Sequence, residues 1–180
     1  MVYVFLAEGF EEIEALTVVD ILRRAEISVK MVAVGTQDKM VTGARGIPVM
    51  SDCMENEVET DKAQMFVLPG GMPGTTNLEK NETVQQVLAY GVQNGTWIAA
   101  ICAAPMTLGN KGYLKGKEAI CYPGFEKYLQ GAIVKDNKVN IYDKFITSKG
   151  PGTAGDFAFA IVSVLKDQDT AHQLKVQMQY

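Results

Sequence analysis

The chain has 180 residues, 47% of them hydrophobic and 21% charged, with a formal net charge of −4. That length and balance suit one globular domain, residues 1–180, large enough to bury a sizeable core. With no Lys/Arg cluster and no run approaching the roughly 18 apolar residues of a membrane span, neither nucleic acid nor a membrane is expected as a partner.

Three cysteines show no CxxC pair and no framework spacing. The apolar N-terminus lacks a basic leader and runs straight into Glu8, Glu11 and Glu12. Together these predict a reducing, cytoplasmic location.

In chain order, Val2 to Leu6 reads as a buried strand, and Gly9 separates it from a helix running from about Glu12 to Ala25. Val29 to Val34 is a second strand ended by Gly35. Short apolar pieces around Gly43, Gly46 and Pro48 predict a small hairpin at a sheet edge, and Asp52 to Asp61 a surface turn or short helix. Met65 to Leu68 is a third strand, closed by Pro69-Gly70-Gly71. Glu82 to Gln93 is helical by period, with Val84, Val87, Leu88 and Val92 on one side. Glu118 to Cys121 and Val139 to Thr147 are further strand candidates, and Gly152 to Leu165 and Asp169 to Met178 read as helices. Strands alternating with helices over short connections predict an α/β fold, a doubly wound, mostly parallel sheet that takes ligands at its carboxyl end.

The stretch that organises this alternation is Thr96 to Pro105. An apolar strand stops at Cys102, small residues follow, and Pro105 suits the first turn of a new helix. Such a strand-turn-helix junction pushes the turning side chain out as a nucleophile. A thiol at a helix N-terminus is expected to favour its thiolate. The alternative is a free cysteine packed as a small hydrophobe.

Glu14 breaks its own pattern. At about 100° per residue it falls among Val18, Ile21 and Ala25, on the apolar face of its helix. A buried carboxylate is costly unless paired or protonated. A first-turn acid favoured by the helix dipole explains Glu11 and Glu12 well and Glu14 less well, because dipole compensation does not require the buried face. If the first strand and the elbow strand are neighbours, a protonated Glu14 reaches Cys102 and donates a hydrogen bond to its sulfur. Gly70 and Gly71 fit either an oxyanion site, with the Ala103 N–H as second donor, or a plain turn. Gly150-Pro151-Gly152-Thr153 fits either a site loop or a helix cap through Thr153.

The single histidine, His172, lies on the last short helix with no apolar setting or ligand spacing. A Cys-His hydrolase needs an imidazole base, so protease chemistry is not expected. No metal-ligand cluster or phosphate-binding glycine signature appears, and no metal or cofactor is expected.

Four motifs occur in order: Ala7-Glu8-Gly9-Phe10-Glu11-Glu12-Ile13-Glu14, Val67 to Gly71, Ala99 to Pro105 and Thr147 to Thr153. Together they resemble the ThiJ/PfpI superfamily, in the branch of the Parkinson-associated protein deglycase and its bacterial relatives. The resemblance covers nearly the whole chain. It implies a flavodoxin-like three-layer α/β/α sandwich related to class I glutamine amidotransferases, and a homodimer with Arg24 and Arg45 near its interface. It implies that Cys102 is the reactive cysteine, Glu14 its protonated partner, and Gly70, Gly71 and Ala103 the backbone oxyanion site.

This sequence departs from the family pattern twice. The proteolytic branch has a histidine directly after the cysteine, where Ala103 stands here. The deglycase branch commonly has a histidine before a proline near the site, where Tyr122-Pro123 stands here, and tyrosine is a poor proton shuttle near neutrality. The implied activity is conversion of a small-molecule 2-oxoaldehyde such as methylglyoxal, or removal of adducts from a glycated protein. The alternative is a redox sensor or holdase-type protein that works through oxidation of Cys102.

Overall fold

Val2–Ala7 (β1) is a run of six fully buried residues, the pattern of a strand covered on both faces. The computed structural model describes residues 1–180, and β1 lies near the middle of its main sheet. The chain continues through α1 (Glu12–Arg24), β2 (Val29–Val34), β3 (Met40–Thr42), β4 (Pro48–Met50), β5 (Cys53–Met54) and β6 (Met65–Leu68). Then come α2 (Gly74–Lys80), α3 (Glu82–Asn94), β7 (Trp97–Ile101), α4 (Pro105–Asn110), β8 (Glu118–Ala119) and β9 (Ile133–Val134). The last elements are β10 (Val139–Tyr142), β11 (Phe145–Ser148), α5 (Ala154–Leu165) and α6 (Gln168–Gln177).

The main sheet has the order β10-β11-β7-β6-β1-β2-β5. All its pairings are parallel except β10 with β11, which form the antiparallel edge. Alternation along β1 sends Val2, Val4 and Leu6 to one side and Tyr3, Phe5 and Ala7 to the other. The first side packs against Val18 and Ile21 of α1 and Phe157 and Ile161 of α5. The second packs against Leu78 of α2, Val84 and Leu88 of α3 and Leu108 of α4. The result is the expected three-layer α/β sandwich with helices on both faces.

Three details differ from the sequence expectation. β6 lies between β1 and β7, so the first strand and the elbow strand are not neighbours. α2 is a helix that the sequence does not signal: its Gly-Thr-Thr-Asn start is a poor helix former, and packing of Leu78 overrides that propensity. The strand expected over Glu118 to Cys121 shrinks to two residues, which pair in parallel with β9 in a small separate sheet. The predicted hairpin is present as β3 and β4, paired outside the main sheet.

Candidate active site

β7 is apolar and buried from Ile98 onward, and it ends where the chain must reverse into α4. Cys102 makes the turn with φ of +64°, a left-handed conformation costing about 1 kcal/mol or more for a residue bearing a β-carbon. Two backbone hydrogen bonds hold it there. The Cys102 N–H donates to the Ser148 carbonyl at 3.0 Å, and the Cys102 carbonyl accepts the Tyr122 N–H at 2.8 Å. Ala103 and Ala104 are buried beneath the turn, and Pro105 opens α4.

Glu14 reaches the same point from α1. Its N–H donates to Glu11 Oε2 at 2.8 Å, so Glu11 caps the helix, and the Glu14 side chain is fully buried. Glu14 Oε2 accepts the Gly70 N–H at 2.7 Å, and the carboxyl contacts the Cys102 sulfur. Oε1 is buried without a hydrogen-bond partner. Such an oxygen is costly on a carboxylate and tolerable on a neutral acid.

Burial raises the Glu14 carboxyl to about 7, with the nearby Glu11 adding to the rise; the Gly70 and Cys102 hydrogen bonds oppose it. Burial also pushes the Cys102 thiol up, to about 12, and the Glu14 carboxylate adds to that by charge and hydrogen bond. The Ala103 and Gly71 N–H groups pull it down. The expectation of a thiolate favoured by a helix N-terminus is therefore corrected. α4 is six residues long and begins beyond Ala104, too short and too remote to outweigh burial. The penalty that Glu14 imposes on a thiolate disappears when Glu14 carries the proton, because the charge is gone and its O–H becomes a donor.

Of the expected oxyanion donors, the Gly71 and Ala103 N–H groups lie close enough to the Cys102 sulfur to pull its pKa down. Gly70 departs from the expectation: its N–H is occupied by Glu14. Its lack of a side chain is nonetheless required, since a β-carbon there would lie 2.6 Å from Cys102 Cβ and 2.7 Å from Glu14 Oε2. Tyr122 and Gly150 border the site. A β-carbon built on Gly150 would lie 3.2 Å from Tyr122 Cδ2 and 3.9 Å from Glu14 Oε1. Pro151 opens the 3-10 turn after Gly150. Thr153 does not cap α5; its Oγ1 accepts the Gly150 N–H at 3.1 Å and lies 2.7 Å from Ser148 Oγ.

Sequence reasoning missed Glu11 as a cap and Ser148 as the acceptor for the elbow N–H. Glu11 was visible from its spacing three residues before Glu14. Ser148 acts through its carbonyl, which no side-chain pattern reveals.

The remaining candidates lie elsewhere. His172 on α6 lines a cavity of about 450 Å³ with Lys138, Asp156 and Lys175, which includes none of the site residues. Cys53 and Cys121 are buried free thiols, both pushed up by burial, Cys121 to about 12; Cys102 is the more accessible of the three. No group of three His, Cys, Asp or Glu side chains is arranged to hold a metal ion, and no helix is long and apolar enough to cross a membrane.

The chain is 32% identical over 168 residues to the glutathione-independent glyoxalase DJR-1.2 of Caenorhabditis elegans, covering 93% of this chain and 89% of that protein. It is 33% identical over 168 residues to Protein DJ-1 homolog B of Arabidopsis thaliana, covering 92% of this chain but 38% of that longer protein. The solved structure of oxidized Toxoplasma gondii DJ-1 superposes with a TM-score of 0.95 at 33% identity, over 99% of this chain and 97% of that one. The model of the DJ-1/PfpI family matches residues 1–164, and the chain belongs to that family.

Proposed function

We propose that this protein is a cysteine-dependent enzyme for reactive 2-oxoaldehydes or their glycation adducts. The observation that carries the reading is the Glu14 carboxyl, fully buried and raised to about 7, in contact with a Cys102 sulfur that also faces two backbone N–H groups. As an aldehyde enters, the thiol proton passes to Glu14 and Sγ adds to the aldehyde carbon. The carbonyl π pair becomes an oxyanion, which the Gly71 and Ala103 N–H groups stabilise. Glu14 returns that proton to the oxyanion, giving a hemithioacetal; the freed carboxylate then takes the proton from the former aldehyde carbon and delivers it to the adjacent carbon through an enediol, while the hydroxyl proton moves to the neighbouring oxygen, leaving a thioester that water hydrolyses to the 2-hydroxy acid and the free thiol. Oxidation at one carbon balances reduction at the next, so the scheme needs no external redox partner or cofactor. A relative named as a glutathione-independent glyoxalase supports a protein thiol in this role.

Lactate formation from methylglyoxal by the purified protein tests the reading. Turnover that disappears in Cys102→Ser supports it; no turnover above that variant contradicts it.

A second reading draws on the same donors. A sulfinate at Cys102 would accept hydrogen bonds from Gly71, Ala103 and a protonated Glu14, the arrangement expected of a redox sensor or holdase-type protein. A structural relative is described as oxidized, which favours testing it. Peroxide treatment followed by mass spectrometry would then show two oxygens added at Cys102 and none at Cys53 or Cys121.

The proposal includes a homodimer. Arg45 N–H donates to Glu12 Oε1 at 2.7 Å, which holds the β3–β4 turn against the start of α1, and both elements expose large apolar side chains, Ile13 and Ile47. Light scattering at micromolar concentration checks this: twice the chain mass supports it, and the chain mass alone contradicts it.

A further inference from the structure

We propose that the Thr153 hydroxyl is a positioning group for the Glu14–Cys102 pair: it locks the loop of residues 148–150, one end of which holds the Cys102 turn while the other closes over the unpaired oxygen of Glu14. The inference rests on the reading of that pair as the reacting centre.

Thr153 Oγ1 accepts the Gly150 N–H at 3.1 Å and lies 2.7 Å from Ser148 Oγ, which donates to the Lys138 carbonyl at 2.6 Å. The Gly150 carbonyl is 2.9 Å from the same Thr153 hydroxyl, but it already takes the Thr153 N–H at 2.9 Å. The hydroxyl proton of Thr153 is therefore free for Ser148 Oγ. One directed chain then runs from the Gly150 N–H through Thr153 Oγ1 and Ser148 Oγ to the Lys138 carbonyl, and it leaves every member paired.

Both ends of the loop reach the pair. Ser148 is fully buried at the end of β11, and its carbonyl accepts the Cys102 N–H at 3.0 Å, one of the two bonds that hold the turn at φ of +64°. Gly150 is buried, and a β-carbon built on it would lie 3.9 Å from Glu14 Oε1, the oxygen that has no hydrogen-bond partner. The groups that act on this carboxyl are Glu11 on its own helix, the Cys102 thiol and the Gly70 N–H. The loop brings no further charge, since its Lys149 is paired with Asp136, and the Tyr122 ring meets it at Gly150 through carbon atoms. The loop thus acts on Glu14 through burial. Once loosened, it admits water to Oε1 and lets the carboxyl return toward its ordinary range.

The test is the pH profile of Cys102 alkylation by iodoacetamide, read by mass spectrometry, in the wild-type protein, Thr153→Val and Thr153→Ser. Valine keeps the branched shape and removes the hydroxyl; serine keeps the hydroxyl. The inflection is expected to move down by about one pH unit in Thr153→Val, the scale of one hydrogen bond, and to hold its wild-type position in Thr153→Ser. A hydroxyl that served stability alone would lower the urea midpoint of Thr153→Val and leave the inflection in place. That result overturns the proposal, as does an equal move in Thr153→Ser.

Ser148→Ala keeps the proposal open to refutation if Thr153→Val does not fold. It cuts the link to β11 while the Gly150 N–H still has Thr153 Oγ1 as its acceptor. The same downward move is expected, and an unmoved inflection overturns the proposal. Alkylation needs no turnover, so absence of lactate formation contradicts the enzymatic reading and leaves this comparison intact. A wild-type profile without an inflection near pH 7 contradicts the reading of the pair and this inference together.

Discussion

Glu14 and Cys102 meet across the carboxyl end of β6, a strand that contributes neither of them. Gly70, two residues beyond the end of β6, donates its N–H to one oxygen of Glu14, and its missing β-carbon lets the Cys102 side chain approach. A glycine therefore brings the two side chains together.

The pair sets the pH dependence of thiol reactivity. With both protons bound no thiolate forms; once Glu14, raised to about 7, has lost its proton, its carboxylate can accept the thiol proton. Alkylation of Cys102 should rise through about pH 7 and level off. In Glu14→Gln the rise should move to higher pH, because burial still opposes the thiolate and no carboxylate remains to accept its proton. Iodoacetamide rates read by mass spectrometry across pH 5 to 10 check this; superimposable profiles for the two proteins would contradict it.

Stability should carry the same signature. The Glu14 carboxyl sits at about 7 in the fold against 4.5 when free, so between those values the native state keeps a proton that the unfolded chain has released. The contribution is fully present below about pH 4.5 and is lost as pH rises through 7, a decline of about 3 kcal/mol. Urea unfolding at pH 5 and pH 8 should show this decline in the wild-type protein and a much smaller one in Glu14→Gln.

Gly70→Ala should damage both fold and site. The added carbon would fall 2.6 Å from Cys102 Cβ and 2.7 Å from Glu14 Oε2, contacts that force the pair apart. A loss of about 1–3 kcal/mol in unfolding free energy is expected, together with loss of the low-pH alkylation of Cys102. Retention of both would show that the glycine is dispensable.

The left-handed turn at Cys102 stores strain that a residue without a β-carbon would release. Cys102→Gly should be more stable than Cys102→Ala by about 1 kcal/mol, since only alanine keeps the strained conformation at φ of +64°. Chemical denaturation of the two variants reads the difference directly, and a more stable alanine variant would contradict it.

Much of this was legible in the sequence, and the limits are physical. The apolar run to Ile101 followed by small residues and Pro105 marked the elbow, and the helical period placed Glu14 among Val18, Ile21 and Ala25, all buried in the fold. Strand order was not legible, because periodicity reports which faces are buried and not which strands are adjacent; hence β6 between β1 and β7. The role of Gly70 was misassigned, since a backbone N–H carries no label for its acceptor. The direction of the thiol shift was missed for a related reason: a helix start can be read from residues, but the depth of burial that outweighs it emerges only from the packed sheet.

The most direct test of the account is lactate formation from methylglyoxal by Cys102→Ser, Glu14→Gln and the double variant beside the wild-type protein. If the two residues act as one proton-sharing unit, each single substitution should lower kcat nearly as far as both together. A Glu14→Gln variant within about threefold of wild type, or losses that multiply in the double variant, would contradict the claim that Glu14 works through Cys102.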